Sequence, residues 1–196
     1  MAERIAIAYY LEDPVANWLH AQARELANMF DIPNRYDLAP PHITLKYPVA
    51  DVPNMHVDEL EGYFEHNFRD LHAAPIIFTG VLHTFPDARV IFAEVQKTRA
   101  ASLLGMAIME GFHQWAFLYT NPYEVTVKSL YQKFDFAGEW HVTLASGMTP
   151  EKYEEVWDYI KKRSFPRHEV ALDKITLIKI EEGRHVPIRT CELTNP

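Results

Sequence analysis

"PPHITLKYPV", residues 40–49, places a histidine two positions before a threonine inside an otherwise apolar run. Alone, a strand histidine beside a threonine is more often a satisfied core or surface residue than a chemical one. A second copy changes that reading. "WHVTLASGM", residues 140–148, repeats the pattern, and of the ten histidines only His42 and His141 are followed by x-Thr. From the Thr and Leu content, about 0.05 H-x-T-L matches are expected by chance, and the chain holds two.

The elements around each copy match as well. Residues 3–12 read as a strand, and 12–30 as a helix with Asp13 as its cap and Val15, Leu19, Ala23, Leu26 and Met29 on one stripe. After a loop at 31–41 and the strand carrying His42, a helix is expected over 55–73. Strands follow at 75–85 and 89–96 with a turn at "PDA". The second half gives a helix at 98–117, the strand 140–148 and a helix over 149–165 capped by Thr149. Strands at 168–180 and 186–193 complete it. Each half thus runs helix, H-x-T strand, helix, strand, strand, which predicts an internal repeat of about 13–96 and 98–194. The expected fold is α+β: a single bilobal domain over 1–196, with two pseudo-symmetric lobes, each an antiparallel sheet packed with helices, around a central cleft.

Composition narrows the function. Of 196 residues, 48% are hydrophobic and 13% aromatic, which predicts a packed core. The formal charge of −8 argues against a protein that coats long nucleic acid, but leaves room for a small or terminal phosphate substrate. No apolar run approaches a bilayer-spanning length, and "MAERIAIAYYLEDP" does not read as a secretory signal. Cys191 is the only cysteine, which excludes an internal disulfide, suits a reducing cytosol and reads as a small buried hydrophobe. A cytoplasmic, acidic monomer without a membrane partner is expected.

The spacing carries chemistry. Side chains at i and i+2 of a strand share a face, so His42 points with Thr44 and His141 with Thr143, while Ile43, Leu45, Val142 and Leu144 point into a core. One histidine can take a proton from an attacking oxygen while the other gives one to the leaving oxygen of a phosphodiester. The threonine hydroxyls can donate to the non-bridging oxygens. This chemistry requires neither a metal nor a cofactor. A zinc site would need a third ligand, for which only His83 or His185 can be argued.

Paired H-h-T-h motifs roughly a hundred residues apart resemble the 2H phosphoesterase superfamily, and within it the bacterial 2'-5' RNA ligase and cyclic phosphodiesterase-like proteins. The resemblance implies two α+β lobes with one motif on each wall of the cleft. It implies metal-independent action on 2',3'-cyclic phosphates or 2'-5' linkages, with a small nucleotide or an RNA terminus as substrate. By the same resemblance His42 and His141 are the acid–base pair, and Thr44 and Thr143 bind the phosphate. Ligation, and a non-catalytic nucleotide-phosphate-binding module using the same cleft, are the alternatives.

Three further residues are candidate substrate contacts. Lys46 is expected on the face of His42 and Thr44, where its ammonium could reach the phosphate, the alternative being a solvated lysine at the strand end. The aromatic-rich loop 118–138 contains Tyr131 and Lys133; it reads either as a stacking surface for a base or as a flap packed on the lobe.

Overall fold

Among the described residues, eight strands and four helices follow one another as β1 (Arg4–Tyr10), α1 (Val15–Phe30), β2 (His42–Ala50), α2 (Val57–Phe68), β3 (Ala74–Phe85) and β4 (Val90–Lys97). Then come α3 (Arg99–Tyr119), β5 (His141–Ala145), α4 (Pro150–Ile160), β6 (His168–Leu172), β7 (Lys174–Glu181) and β8 (Arg184–Glu192). The structure, a computed structural model, describes residues 4–50, 57–119, 139–163 and 165–195.

The strands form two four-stranded sheets, ordered β2-β1-β7-β8 and β5-β4-β3-β6, with every pairing antiparallel. The fold is therefore α+β with two antiparallel sheets packed with helices, as expected. The sheets do not follow the two halves of the chain. Each takes two strands from before α3 and two from after it. The motif strands β2 and β5 are both edge strands, β1 and β4 lie beside them, and β7 and β3 come next. By position in the sheets, β1, β2 and β3 correspond to β4, β5 and β7: β3 lies in the sheet of β4 and β5, and β7 in the sheet of β1 and β2.

Two local differences from the sequence reading have simple causes. The run 168–180, expected as one strand, is two strands in different sheets: β6 pairs with β3, while β7 pairs with β1 and β8. Asp173 separates them, and its carbonyl accepts the Leu193 amide at 2.7 Å. Pro14, not Asp13, holds the cap position of α1, and no side chain closes that end. At α4 the Thr149 hydroxyl does accept from the Lys152 amide, with Pro150 in the first turn.

One hydrophobic core runs through both sheets. Ile7, Ile43 and Leu177 from the first sheet join Ile91, Val142 and Ile76 from the second. Helix α1 contributes Val15, Leu19, Ala23 and Leu26, whereas Met29 in its last turn is 53% exposed. Helix α2 contributes Leu60, Phe64 and Phe68, and Cys191 is buried in the same cluster. The opposite face of the first sheet is covered by much smaller residues, Ala6 and Ala8, beside Ile178. Among the described residues no helix is long and apolar enough to cross a membrane.

Candidate active site

The two motif strands approach each other. Cα atoms of β2 and β5, the facing edges of the two sheets, come within 8 Å. A single-turn 3-10 helix, Arg35–Asp37, sits just before β2 and ties the edges together, because the buried Tyr36 hydroxyl donates to the Thr143 carbonyl at 2.9 Å. That turn is itself closed by Asn34, whose side chain accepts from the Tyr36 amide and donates to Asp37.

On β2, Ile43 and Leu45 are buried while His42 and Thr44 are only half-buried. On β5, Val142 and Leu144 are buried while His141 and Thr143 are half-buried. The alternation predicted from sequence therefore holds in both strands.

The imidazoles are held alike. His42 Nδ1 lies 2.7 Å from the Pro40 carbonyl, and His141 Nδ1 lies 3.0 Å from the Glu139 carbonyl. A carbonyl oxygen can only accept, so in both rings Nδ1 carries the hydrogen. Nε2 is then the nitrogen left for a substrate. In each motif the partner is the residue two positions upstream.

Their surroundings differ. Burial pushes His42 down to about 3, reinforced by the His185 imidazole and the Arg35 guanidinium. Burial also lowers His141, but the Glu139 carbonyl bond and carboxylate work the other way. The His141 ring rests against Phe85 and Phe92, with centroids 5.3 and 4.8 Å away, and those two rings stack at 4.4 Å. Beside them Glu94 accepts from the Thr79 hydroxyl at 2.6 Å and pairs with His83 at 3.5 Å.

His185, which carries no H-x-T motif and which the sequence offers only as an arguable third zinc ligand, is brought by the structure to the site. Its ring centroid is 4.3 Å from that of His42, and its Nδ1 is 3.2 Å from the Tyr10 hydroxyl. Strand register does not place it there, since His185 is opposite Ile180 and Ile180 is opposite Arg4, at the far end of β1 from Tyr10. The sheet coils so strongly that diagonal corners meet over Ala6 and Ala8. Neither His185 nor Arg35 carries a motif; a small-residue floor on β1 is the one sequence sign of such closure.

Lys46 does not join the face of His42 and Thr44. Thr44 is opposite Ala8 but Lys46 is opposite Ile7, so Leu45 is an extra residue in a bulge. The bulge turns Lys46 into the helix-side core, where it is fully buried with Nζ 5.3 Å from the centroid of the Phe112 ring. Tyr131 and Lys133, with most of loop 118–138, lie outside the described residues. Among the described residues no group of three or more His, Cys, Asp or Glu is arranged to hold a metal ion.

With this geometry in place, sequence comparison identifies the family. The family model of the 2'-5' RNA ligase superfamily matches residues 11–184. The chain belongs to the 2'-5' RNA ligase superfamily. Solved structures similar to this superfamily member include TT0787 of Thermus thermophilus, at 15% identity over 98% of both chains and a TM-score of 0.61. Escherichia coli LigT with NADP+ matches at 14% identity over 98% of both chains, TM-score 0.56. LigT with ATP matches at 15% identity over 98% of both chains, TM-score 0.55, and LigT has also been solved with 3'-AMP and with phosphate. These likenesses show the fold. No curated protein matches the sequence.

Proposed function

We propose that this protein is a phosphodiesterase that acts on small or terminal nucleotide phosphodiesters, most directly 2',3'-cyclic phosphates, by acid–base catalysis between His42 and His141. The observation that carries this reading is the matched pair of imidazoles on facing edge strands, both with Nδ1 bonded to a carbonyl and Nε2 left for substrate. Superfamily membership supports phosphoesterase chemistry, and the 3'-AMP, ATP and phosphate complexes of LigT support a small-nucleotide substrate class.

In this reading water attacks phosphorus and loses a proton to Nε2 of one histidine. The P–O bond to the departing ribose oxygen breaks as the other histidine, as imidazolium, protonates that oxygen. Thr44 and Thr143 donate to the non-bridging oxygens as charge builds there. Arg35 and His185 disfavour charge on His42, while Glu139 favours it on His141. His42 is accordingly the base and His141 the acid. The entering phosphate anion supplies the field that protonates His141. No step uses a metal or a cofactor. The buried, lone Cys191 thiol, pushed up by desolvation, suits a reducing cytosol.

Hydrolysis of a panel of nucleoside 2',3'-cyclic phosphates tests the reading. His42→Ala or His141→Ala should lower turnover by roughly 10²–10⁴-fold with an unchanged far-UV spectrum. EDTA should have no effect. A nitrophenyl diester, whose leaving group needs no proton, should restore His141→Ala but not His42→Ala. Stabilisation by the panel without turnover would instead make the cleft a binding module, and full activity of the double histidine variant would remove both residues from the chemistry.

A further inference from the structure

We propose that Arg35, His185 and Tyr10 form a second anion subsite beside His42, so that the cleft takes a nucleotide carrying one more phosphoryl group than the one being cleaved. This inference rests on the phosphodiesterase reading for the position of the reacting phosphate.

Arg35 lies in the turn between α1 and β2, half-buried, and among the described residues no carboxylate pairs with it. A guanidinium withdrawn from water without a counter-ion is costly, and burial does lower its proton affinity. The turn around it is fixed at two ends. Tyr36 is bonded to Thr143, and the Leu38 carbonyl accepts the His185 amide at 3.3 Å. The second bond brings the β7–β8 hairpin tip against the turn, and Gly183 packs on the Leu38 side chain at the same place. A preorganised cation therefore stands beside an imidazole that is itself oriented.

The orientation of His185 is informative. The Tyr10 hydroxyl and Nδ1 of His185 share a hydrogen bond in which either can donate; in the tautomer where the hydroxyl donates, and in the imidazolium, Nε2 carries a hydrogen that can be donated to an anion. His42 and His141 have the opposite arrangement, with Nδ1 bonded to a carbonyl. His185 can therefore donate to an anion through Nε2, whereas the carbonyl on Nδ1 of His42 leaves its Nε2 to accept. The charge of Arg35 reaches both His42 and His185. His185 and Tyr10 belong to the sheet that carries His42 and stand against its ring, with centroids 4.3 and 6.1 Å away, which puts the subsite on the His42 side of the cleft. A dianionic phosphate monoester matches a fork-shaped cation plus one N–H donor.

The test compares a nucleoside 2',3'-cyclic phosphate with the same compound carrying a 5'-phosphate. Wild type should show kcat/KM at least about tenfold higher for the 5'-phosphorylated ester. Arg35→Gln should bring that ratio towards one, and His185→Phe should reduce it. A wild-type ratio near one, or an Arg35→Gln variant that slows both esters by the same factor, overturns the subsite. The second outcome would confine Arg35 to the reacting phosphate or to its effect on the charge of His42. If wild type cleaves neither ester, the phosphodiesterase reading fails separately, and the Kd ratio of the same pair decides: near one overturns the subsite, while a tenfold preference abolished by Arg35→Gln supports it.

Discussion

His42 is surrounded by influences that disfavour its charge: burial, the His185 ring and the Arg35 guanidinium. An unfolded histidine titrates near 6.5, whereas His42 is held at about 3 and His185 at about 4. Below pH 6.5 the unfolded chain therefore binds more protons than the native one, and stability is lost as pH falls towards those values. Glu25, held at about 2 by hydrogen bonds from Arg163 and Tyr159, contributes its own loss only below its ordinary 4.5. The decline between pH 6.5 and 4.5 should belong to the histidines. Thermal midpoints across that window should flatten in His42→Asn, and more so in His42→Asn/His185→Asn; an unaltered slope would show that these rings titrate normally. At this scale the sequence exposed what chemistry demands by residue type, namely the paired His and Thr. It hid what three-dimensional coiling creates. His185 is 143 positions from His42 and meets it only because opposite corners of a sheet close. Lys46 was misplaced because a bulge at Leu45 leaves no mark on an alternating pattern.

Among elements, β3 shows how backbone geometry can outweigh composition. Its pairing with β4 shifts between Phe78 and Leu82, and Gly80 there has φ 81°. A Cβ at that position would stand 2.4 Å from the Phe165 carbonyl oxygen, on the segment leading into β6. Gly80→Ala should lose about 2 kcal/mol or more, from left-handed backbone strain plus a rigid clash, with ~1–3 kcal/mol for the strain alone. Gly62 is the opposite case: exposed inside α2 with nothing within 4 Å of a built Cβ. Gly62→Ala should gain about 0.5–1 kcal/mol. Chemical denaturation of the two variants checks both signs. The same scale explains the misread run 168–180. The alternating pattern of 168–180 cannot reveal that Asp173 sends one half to each sheet, because Leu172 on one side and Ile175 and Leu177 on the other are all buried in the same core. The helices were legible because their stripes are long, although their ends were not.

For the molecule as a whole, the placing of β3 in the sheet of β5, and of β7 in the sheet of β2, decides cooperativity. A chain ending after β4 would hold β1 without β7 and β4 without β5. Fragments 1–97 and 98–196 should therefore each be unfolded by circular dichroism, and the intact chain should unfold in one calorimetric transition. A folded fragment, or two separate transitions, would show that the sheets are independent lobes. The matching order of elements around the two H-x-T strands was visible in the sequence. The placing of β3 and β7 was not, since pairing between distant strands has no local signature.

One more property follows from β2 and β5 being edge strands. An edge offers unpaired amides and carbonyls as a template for another chain, and proteins ordinarily blunt it with charges, prolines or bulges. Here the two motif strands shelter one another, with Tyr36 occupying a Thr143 carbonyl and β2 bulged at Leu45. The site and the resistance to aggregation thus share one device. Substitutions that spread the two walls should cost solubility together with turnover, so selection for a soluble protein would preserve the cleft even in a descendant that no longer used it.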